Sequence, residues 1–517
     1  MSSVLDEVAD RFEPSPEFVS VMPQEKRAVV LGLDVGTSGV RAAMFDEHGS
    51  EIPGARAQNS RDLSTHSGLA EMDPEQAFKL VVQTIDDLLS LTNSIGSRIE
   101  LISISCFWHS LLGVDSTGSP TTSILGWGDT RSIGITKKLR ERLNEKEIHA
   151  RTGCRFHPSY WPAKLLWLRS ENTKAFQDTR CWLGFGEYLS LRLFGNKANS
   201  VSMASATGLF NQQTKDWDRE LIQALDISPA TLPEIALANR TGDRLVERFA
   251  VRWPQLSEAY LCPAIGDGAA NNIGAGCVGR ESAALMVGTS GALRVLYKDD
   301  APSELSDALW CYRVDRSRVV VGGALSDGGG LYRWLTEALA FDGVSDEALE
   351  ASLAKMEPDA HGLTILPFWA GERSTGWNPN ARGAILGLSM QTEPIEIVRA
   401  AMESVAYRFA LILDALDKIT IITSLVASGN ALRASQVWVQ ILADVLNRPV
   451  MLAGSPEASM RGAALLALEA AGKIESIEEF SIPAETVFEP DASRHGRYRE
   501  GLLRQQQYYD ALFNRER

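Results

Sequence analysis

The sequence predicts an α/β protein with two domains on either side of a cleft, and three observations lead there. A chain of 517 residues, 44% hydrophobic, exceeds the roughly 250–300 residues at which a single core stops growing, so it has material for two. One design occurs twice: an apolar strand over 28–34, a Gly-rich turn at 36–39 and a second strand over 40–45 recur within 283–297 as strand, Gly288-Thr289-Ser290-Gly291 turn and strand. Around these hairpins, apolar residues at 3.6-residue spacing over 74–91, 395–416 and 435–446 alternate with short β-branched runs such as 101–104, the pattern of sheets covered by helices. A repeat at such a long separation is no solenoid period; it reads as two related domains that each give one hairpin to a shared cleft.

In chain order, residues 1–26 hold Pro, Glu and Ser without an apolar run and are expected to form a disordered tail. The first domain is expected over 27–262 and the second over 263–490, divided near Cys262-Pro263, where a polar, helical region gives way to another Gly-rich strand-turn-helix. Residues 491–517 are expected to add a C-terminal helical extension. A formal charge of −15 and a pI near 5.1 repel polyanions, which excludes nucleic acid and anionic membrane as partners, so any bound phosphate must be held locally. No run approaches the roughly 18 apolar residues of a membrane span, so a cytoplasmic protein is expected. Its partners would be small molecules, with a homodimer as the assembly considered. Six cysteines without CxxC or metal-like spacing read as reduced thiols, mostly in cores.

The turns carry the first chemistry. Gly36 and Gly39 allow backbone N–H groups to converge, Thr37 and Ser38 add hydroxyls, and Arg41 adds positive charge, a set that can cradle phosphate oxygens. Asp34, ending its strand, can offer an oxygen to a phosphate-bridging Mg²⁺, directly or through water. Gly288 and Thr289 repeat the turn, so that two turns can grip one polyphosphate as a cleft closes. Asp267, between Gly266 and Gly268 at a strand end, can accept the proton of an attacking hydroxyl; it can equally cap the helix that follows. The glycines there do not make a dinucleotide fingerprint, because the third Gly and the ribose-binding acid are missing at their offsets. Gly329 with Arg333, and Gly429-Asn430, can bring backbone close to a nucleotide. Trp108 and His109, with Trp127, Asp129 and Arg131, offer the aromatic face and polar groups that polyols need; core aromatics and a satisfied histidine explain the same residues.

Together these segments resemble the FGGY carbohydrate kinase family. Four motifs occur in the family's order: 34–41, Gly266-Asp267-Gly268, Gly288-Thr289-Ser290, and 383–388 followed by 396–403. The resemblance implies two actin-like (ribonuclease H-like) domains around an ATP and sugar cleft, the first on the sugar side and the second on the nucleotide side. It implies ATP and Mg²⁺ as cofactors, Asp267 as general base and, through water, as metal partner, and phosphate contacts from Thr37, Ser38, Arg41 and Thr289. Gly329, Arg333 and Asn430 would lie near the nucleotide. One departure is Gly429-Asn430, where the family has consecutive glycines. His109-Ser110, 202–208, 288–294 and 370–373 look most like the gluconokinase branch, which implies gluconate as substrate with Arg131 or Arg373 on its carboxylate. Xylulokinases share Gly371-Glu372-Arg373, so a kinase of a neutral ketose or polyol is the alternative, and a non-catalytic ATP-binding module is a third reading.

Overall fold

Two sheets repeat one strand order in the computed structural model, which describes residues 29–60, 64–66, 69–92, 99–197, 199–236, 242–339, 341, 343–453, 457–480 and 484–513. The expected tail at 1–26 lies outside these residues. The first sheet begins with β1 (Val30–Val35), β2 (Gly39–Phe45) and β3 (Glu51–Ser60), an antiparallel meander. After helix α1 (Pro74–Leu91), β4 (Leu101–Cys106) lies parallel to β1 on its other side. Far along the chain, β5 (Tyr260–Leu261) and β6 (Ile265–Gly266) pair in parallel with β4, and helix α2 (Asp267–Gly274) follows at once. The order is therefore β3-β2-β1-β4-β5. Residues 265–266, just past the expected division at 262, still belong to this sheet.

The second half rebuilds that order. An antiparallel meander of β7 (Gly279–Val287), β8 (Gly291–Lys298) and, beyond the edge strand β9 (Trp310–Arg313), β10 (Arg318–Leu325) leads to helix α3 (Gly329–Ala338) and the long α4 (Pro394–Leu416). β11 (Ser424–Ser428) is parallel to β7, and after α5 (Gln436–Leu446), β12 (Val450–Ala453) is parallel to β11. Helix α6 (Ala458–Ala470), β13 (Ala484–Phe488) and α7 (Ala492–Phe513) complete the described chain. The shared order places the ends of β1 and β7, and so the two Gly-rich turns, at corresponding points of the two sheets.

Local chemistry explains the elements. All six residues of β1 and all six of β4 are buried, and the polar side chains among them are small or partnered, as where Ser105 Oγ donates to Asp34. Helix α1 starts where Asp73 accepts the Gln76 N–H at 2.8 Å and Pro74 fills the first helical position. Helix α7 is part of the second core: Tyr498 and Leu502 pack with residues of α4 and α5, and Gln505 Nε2 donates to Ile365 O at 2.9 Å. The six cysteines are all free and buried. Among the described residues no helix is long and apolar enough to cross a membrane.

Helix α6 departs from simple two-domain order. It belongs by sequence to the second half, yet Met460, Ala464 and Leu468 pack against Val30, Phe45 and Leu101 of the first sheet. It crosses α2 in backbone contact: a Cβ at Gly462 would stand 1.9 Å from Ala270 O, and one at Gly274 1.7 Å from Ala458 O, so only glycine fits either place. Between β4 and β5 the chain inserts a mainly helical lobe with its own core around Trp161, Leu165 and Trp182. The edge strand β9 reaches this lobe, with Cys311 N–H donating to Gly153 O at 3.1 Å.

Candidate active site

The two turns differ in detail. In the first, Val35 pairs with Val40 and Gly36 N–H donates to Gly39 O at 3.0 Å; Thr37 and Ser38 stand exposed at the tip, with no hydrogen bond from their side chains to the described residues. Arg41 faces Asp34 across the ladder and donates to its Oδ2 at 3.1 Å, while Ser105 Oγ donates to Oδ1 at 3.0 Å. In the second, Val287 pairs directly with Gly291, leaving only 288–290 in the turn. Gly329 N–H donates to Gly288 O at 2.7 Å and Gly330 N–H to Thr289 O at 3.0 Å, which docks the turn on the start of α3. Gly329 lies against Ala431, and Gly429, at φ +100°, would place a Cβ 2.3 Å from Val287 O. Residues 287–290 thus meet both 328–330 and Gly429 backbone to backbone, with the Ala431 side chain against Gly329. The left-handed conformation falls on Gly429, and Asn430 simply begins the helix Asn430–Ala434, so the departure from paired glycines costs the turn nothing. Arg333 is exposed on α3.

Between the first domain, its inserted lobe and the second sheet lies a cavity. Asp267 stands on its wall at the first position of α2, with Oδ1 accepting the Gly268 N–H at 2.8 Å. The glycines around it have a steric cause: a Cβ at Gly266 would be 1.9 Å from the Trp108 indole, and one at Gly268 2.4 Å from the same ring. Trp108 is held there by Nε1–H donating to Ser202 O at 3.2 Å. Burial raises the Asp267 pKa; Arg294 opposes this and Asp34 adds to it, so the two carboxylates feel each other. Burial likewise raises Asp34, against the pull of Arg41 and Ser105. Arg294 reaches over from β8, with Nε donating to Asn272 Oδ1 at 3.2 Å and Nη2 to Asn271 Oδ1 at 3.3 Å.

The rest of the wall is largely aromatic. Trp310 and Tyr312 stack at 4.2 Å with 8° between their planes, Trp108 meets Tyr312 edge-on at 5.1 Å, and Tyr160 and Tyr312 share a hydroxyl hydrogen bond of 2.6 Å. His109, at φ 67°, packs between Tyr160 and Tyr312. Its Nδ1 donates to Ala206 O at 2.7 Å, and burial pushes its pKa down to about 3, so the neutral ring keeps Nε2 as an acceptor. Arg373 stacks over Trp127 at 4.5 Å and donates through Nη2 to Leu325 O at 2.6 Å; its Nε is buried without a partner.

Of the residues named from sequence, Asp267, Trp108, His109, Trp127, Ser290, Gly291 and Arg373 line this cavity. Asp129 and Arg131 do not: Arg131 Nη2 is 2.5 Å from both Asp129 Oδ2 and Glu71 Oε2, and the guanidinium lies over Trp167, so the pair saturates itself behind the wall. Arg41 is likewise engaged by Asp34, with Glu457 at 3.8 Å. Sequence reasoning missed Tyr160, Trp310 and Tyr312, which come from distant segments, and the cavity role of Arg294. The one available signal for Arg294 was a charge inside an otherwise apolar strand.

The donor set suits a hard cation bound with phosphate: two carboxylates, each raised by burial, beside turns rich in hydroxyls and backbone N–H. Residues 29–274 match the N-terminal domain of the FGGY family of carbohydrate kinases, and residues 283–471 its C-terminal domain. The chain belongs to the FGGY family of carbohydrate kinases. As such it is an ATP-dependent sugar kinase, a transferase, and FGGY kinases generally use Mg²⁺ with the nucleotide. Its similarity to the gluconokinase of Bacillus subtilis (strain 168) is 30% identity over 466 residues, covering 87% of this chain and 89% of that one. The gluconate kinase of Lactobacillus acidophilus superposes with a TM-score of 0.86 at 28% identity, over 93% of this FGGY kinase and 98% of that chain. A xylulose kinase from the same organism matches with the same values.

Proposed function

We propose that this FGGY kinase phosphorylates a sugar acid, preferably gluconate to 6-phosphogluconate. The terminal hydroxyl oxygen attacks the γ-phosphorus of ATP, its proton passes to the Asp267 carboxylate, and the bond from γ-phosphorus to the β–γ bridging oxygen breaks to release ADP. Positioning supplies most of the rate, with the hydroxyls of Thr37, Ser38 and Thr289 and the N–H groups of both turns on the phosphates. Gly288, Gly329, Gly429 and Asn430 line the nucleotide's path, with Arg333 at its edge. Asp34 and Asp267 are the groups that would hold Mg²⁺, through water; when bound, the ion neutralises phosphate charge.

The observation that carries the sugar-acid reading is the charge of the cavity wall. Two guanidiniums, Arg294 and Arg373, and one aspartate, Asp267, line the cavity, while His109 is neutral; Asp327, outside the lining, also attracts Arg373. Arg373 forms no ion pair with any described residue, although it is half-buried with an unbonded Nε. An unpaired, desolvated guanidinium calls for an anionic ligand, and a carboxylate fits its fork. Arg131, the other candidate, is already paired with two carboxylates, those of Asp129 and Glu71. The neutral-ketose reading draws on the aromatic wall and on the equal likeness to a xylulose kinase.

The test is kcat/KM for gluconate, xylulose and glycerol with wild type and Arg373→Met. Loss of a charge-assisted contact of about 2–3 kcal/mol predicts a fall of roughly 30- to 150-fold on gluconate alone. Equal losses on gluconate and xylulose would refute the assignment to the carboxylate. Turnover of ATP that ignores every sugar would instead favour a nucleotide switch.

A further inference from the structure

The cavity wall that carries His109 is held from behind by the first turn of helix Trp161–Glu171. Trp161 Nε1–H donates to Ser110 O at 2.9 Å, and Lys164 Nζ donates to His109 O at 2.6 Å. The same Nζ reaches Leu125 O at 3.2 Å, two residues before the cavity residue Trp127. Lys164 is 1% exposed and makes no ion pair with any described residue. The charged groups that face it are Asp129, which attracts, and Arg131, which repels, and these two are bound to each other. Burial accordingly pushes the amine down to about 7. Placing an amine there is costly unless its hydrogen bonds are needed, since an apolar side chain of similar length would fill the space without desolvating a donor.

His109 supplies the need. A non-glycine residue at φ 67° holds a strained backbone, of order 1–3 kcal/mol, that persists only when its surroundings fix it. Ring and carbonyl are fixed separately, the ring by Ala206 O and the carbonyl by Lys164.

We propose that Lys164 is a positioning residue for sugar binding, its amine tying the carbonyls of His109 and Leu125 together so that the imidazole Nε2 stays aimed into the cavity. This rests on the reading of that cavity as the sugar site. Asp129 and Arg131, expected from sequence to touch sugar, then belong to the layer that surrounds this amine.

The experiment is a double-mutant cycle with Lys164→Met, His109→Ala and the double variant. KM is measured for ATP and for whichever of gluconate, xylulose and glycerol the wild type turns over. Lys164→Met is expected to raise sugar KM about tenfold or more, with ATP KM within about threefold. In the His109→Ala background the same change is expected to add less than about threefold, because its effect passes through His109. Full multiplication of the two effects, an equal rise in both KM values, or an unchanged sugar KM in Lys164→Met overturns the proposal. If circular dichroism shows Lys164→Met unfolded, Lys164→Gln, whose shorter side chain cannot span both carbonyls, is run through the same cycle against the same criteria. An unchanged sugar KM in His109→Ala itself sinks the cavity reading, whereas a rise there with none in the lysine variant sinks only the role of Lys164.

Discussion

Glu187 offers a prediction that can be worked from its surroundings. It lies in the first turn of helix Phe185–Phe194, 2% exposed, with Oε2 unbonded among the described residues. Burial pushes its pKa from 4.5 to about 7, and backbone donors at 187, 184 and 200 offset only part of that. The unfolded carboxyl loses its proton near 4.5, whereas the folded one keeps it until about 7, so between these values the native state binds more protons. Stability therefore falls as pH rises through that window, and above pH 7 the full cost stands. A difference of about 2.5 pH units at 1.36 kcal/mol each amounts to about 3 kcal/mol. Glu187→Gln removes the titration. Urea denaturation followed by tryptophan fluorescence at about pH 5, 6, 7 and 8 should show the first transition of the wild type weakening relative to the variant as pH rises. Parallel profiles for the two proteins would refute the argument.

Other perturbations address other parts of the molecule. Asp267→Asn should lower kcat by about a thousandfold or more while sugar KM stays within about threefold, measured in a coupled ADP-release assay. Gly429→Ala, forced into φ +100° against Val287 O, should raise the KM for ATP about tenfold without moving that for sugar. Arg318→Ala would abandon Asp315 at 2.8 Å, Glu469 at 2.5 Å and Glu478 at 2.9 Å, the first of them buried; calorimetry should record a loss of about 3–5 kcal/mol.

The hairpins and the long helices were legible because their signals are local. A glycine turn between apolar runs, or Asp73 and Pro74 ahead of a 3.6-residue pattern, acts through neighbours in sequence, and the helix read over 74–91 is the helix observed. The glycines on either side of Asp267 were legible too, although their cause is not local: both answer to the indole of Trp108, from a distant segment. Asp129 and Arg131 misled because two residues of separation also suits a pair that satisfies itself. The aromatic wall was invisible in sequence: Tyr160, Trp310 and Tyr312 become neighbours only when β9 meets the inserted lobe. The second turn was read as a copy of the first, and its shorter span depends on ladder register, which glycine content does not specify.

The return of α6 to the first sheet bears on how the chain matures during synthesis. A nascent polypeptide that has emerged only as far as α2 holds every strand of the first sheet but lacks the helix whose Met460, Ala464 and Leu468 seal one of its faces. That face stays open until translation has passed residue 470, so the earlier half depends on the later one for closure. Separately expressed halves cut at the midpoint would each carry a raw apolar surface, and should recover solubility only when made together.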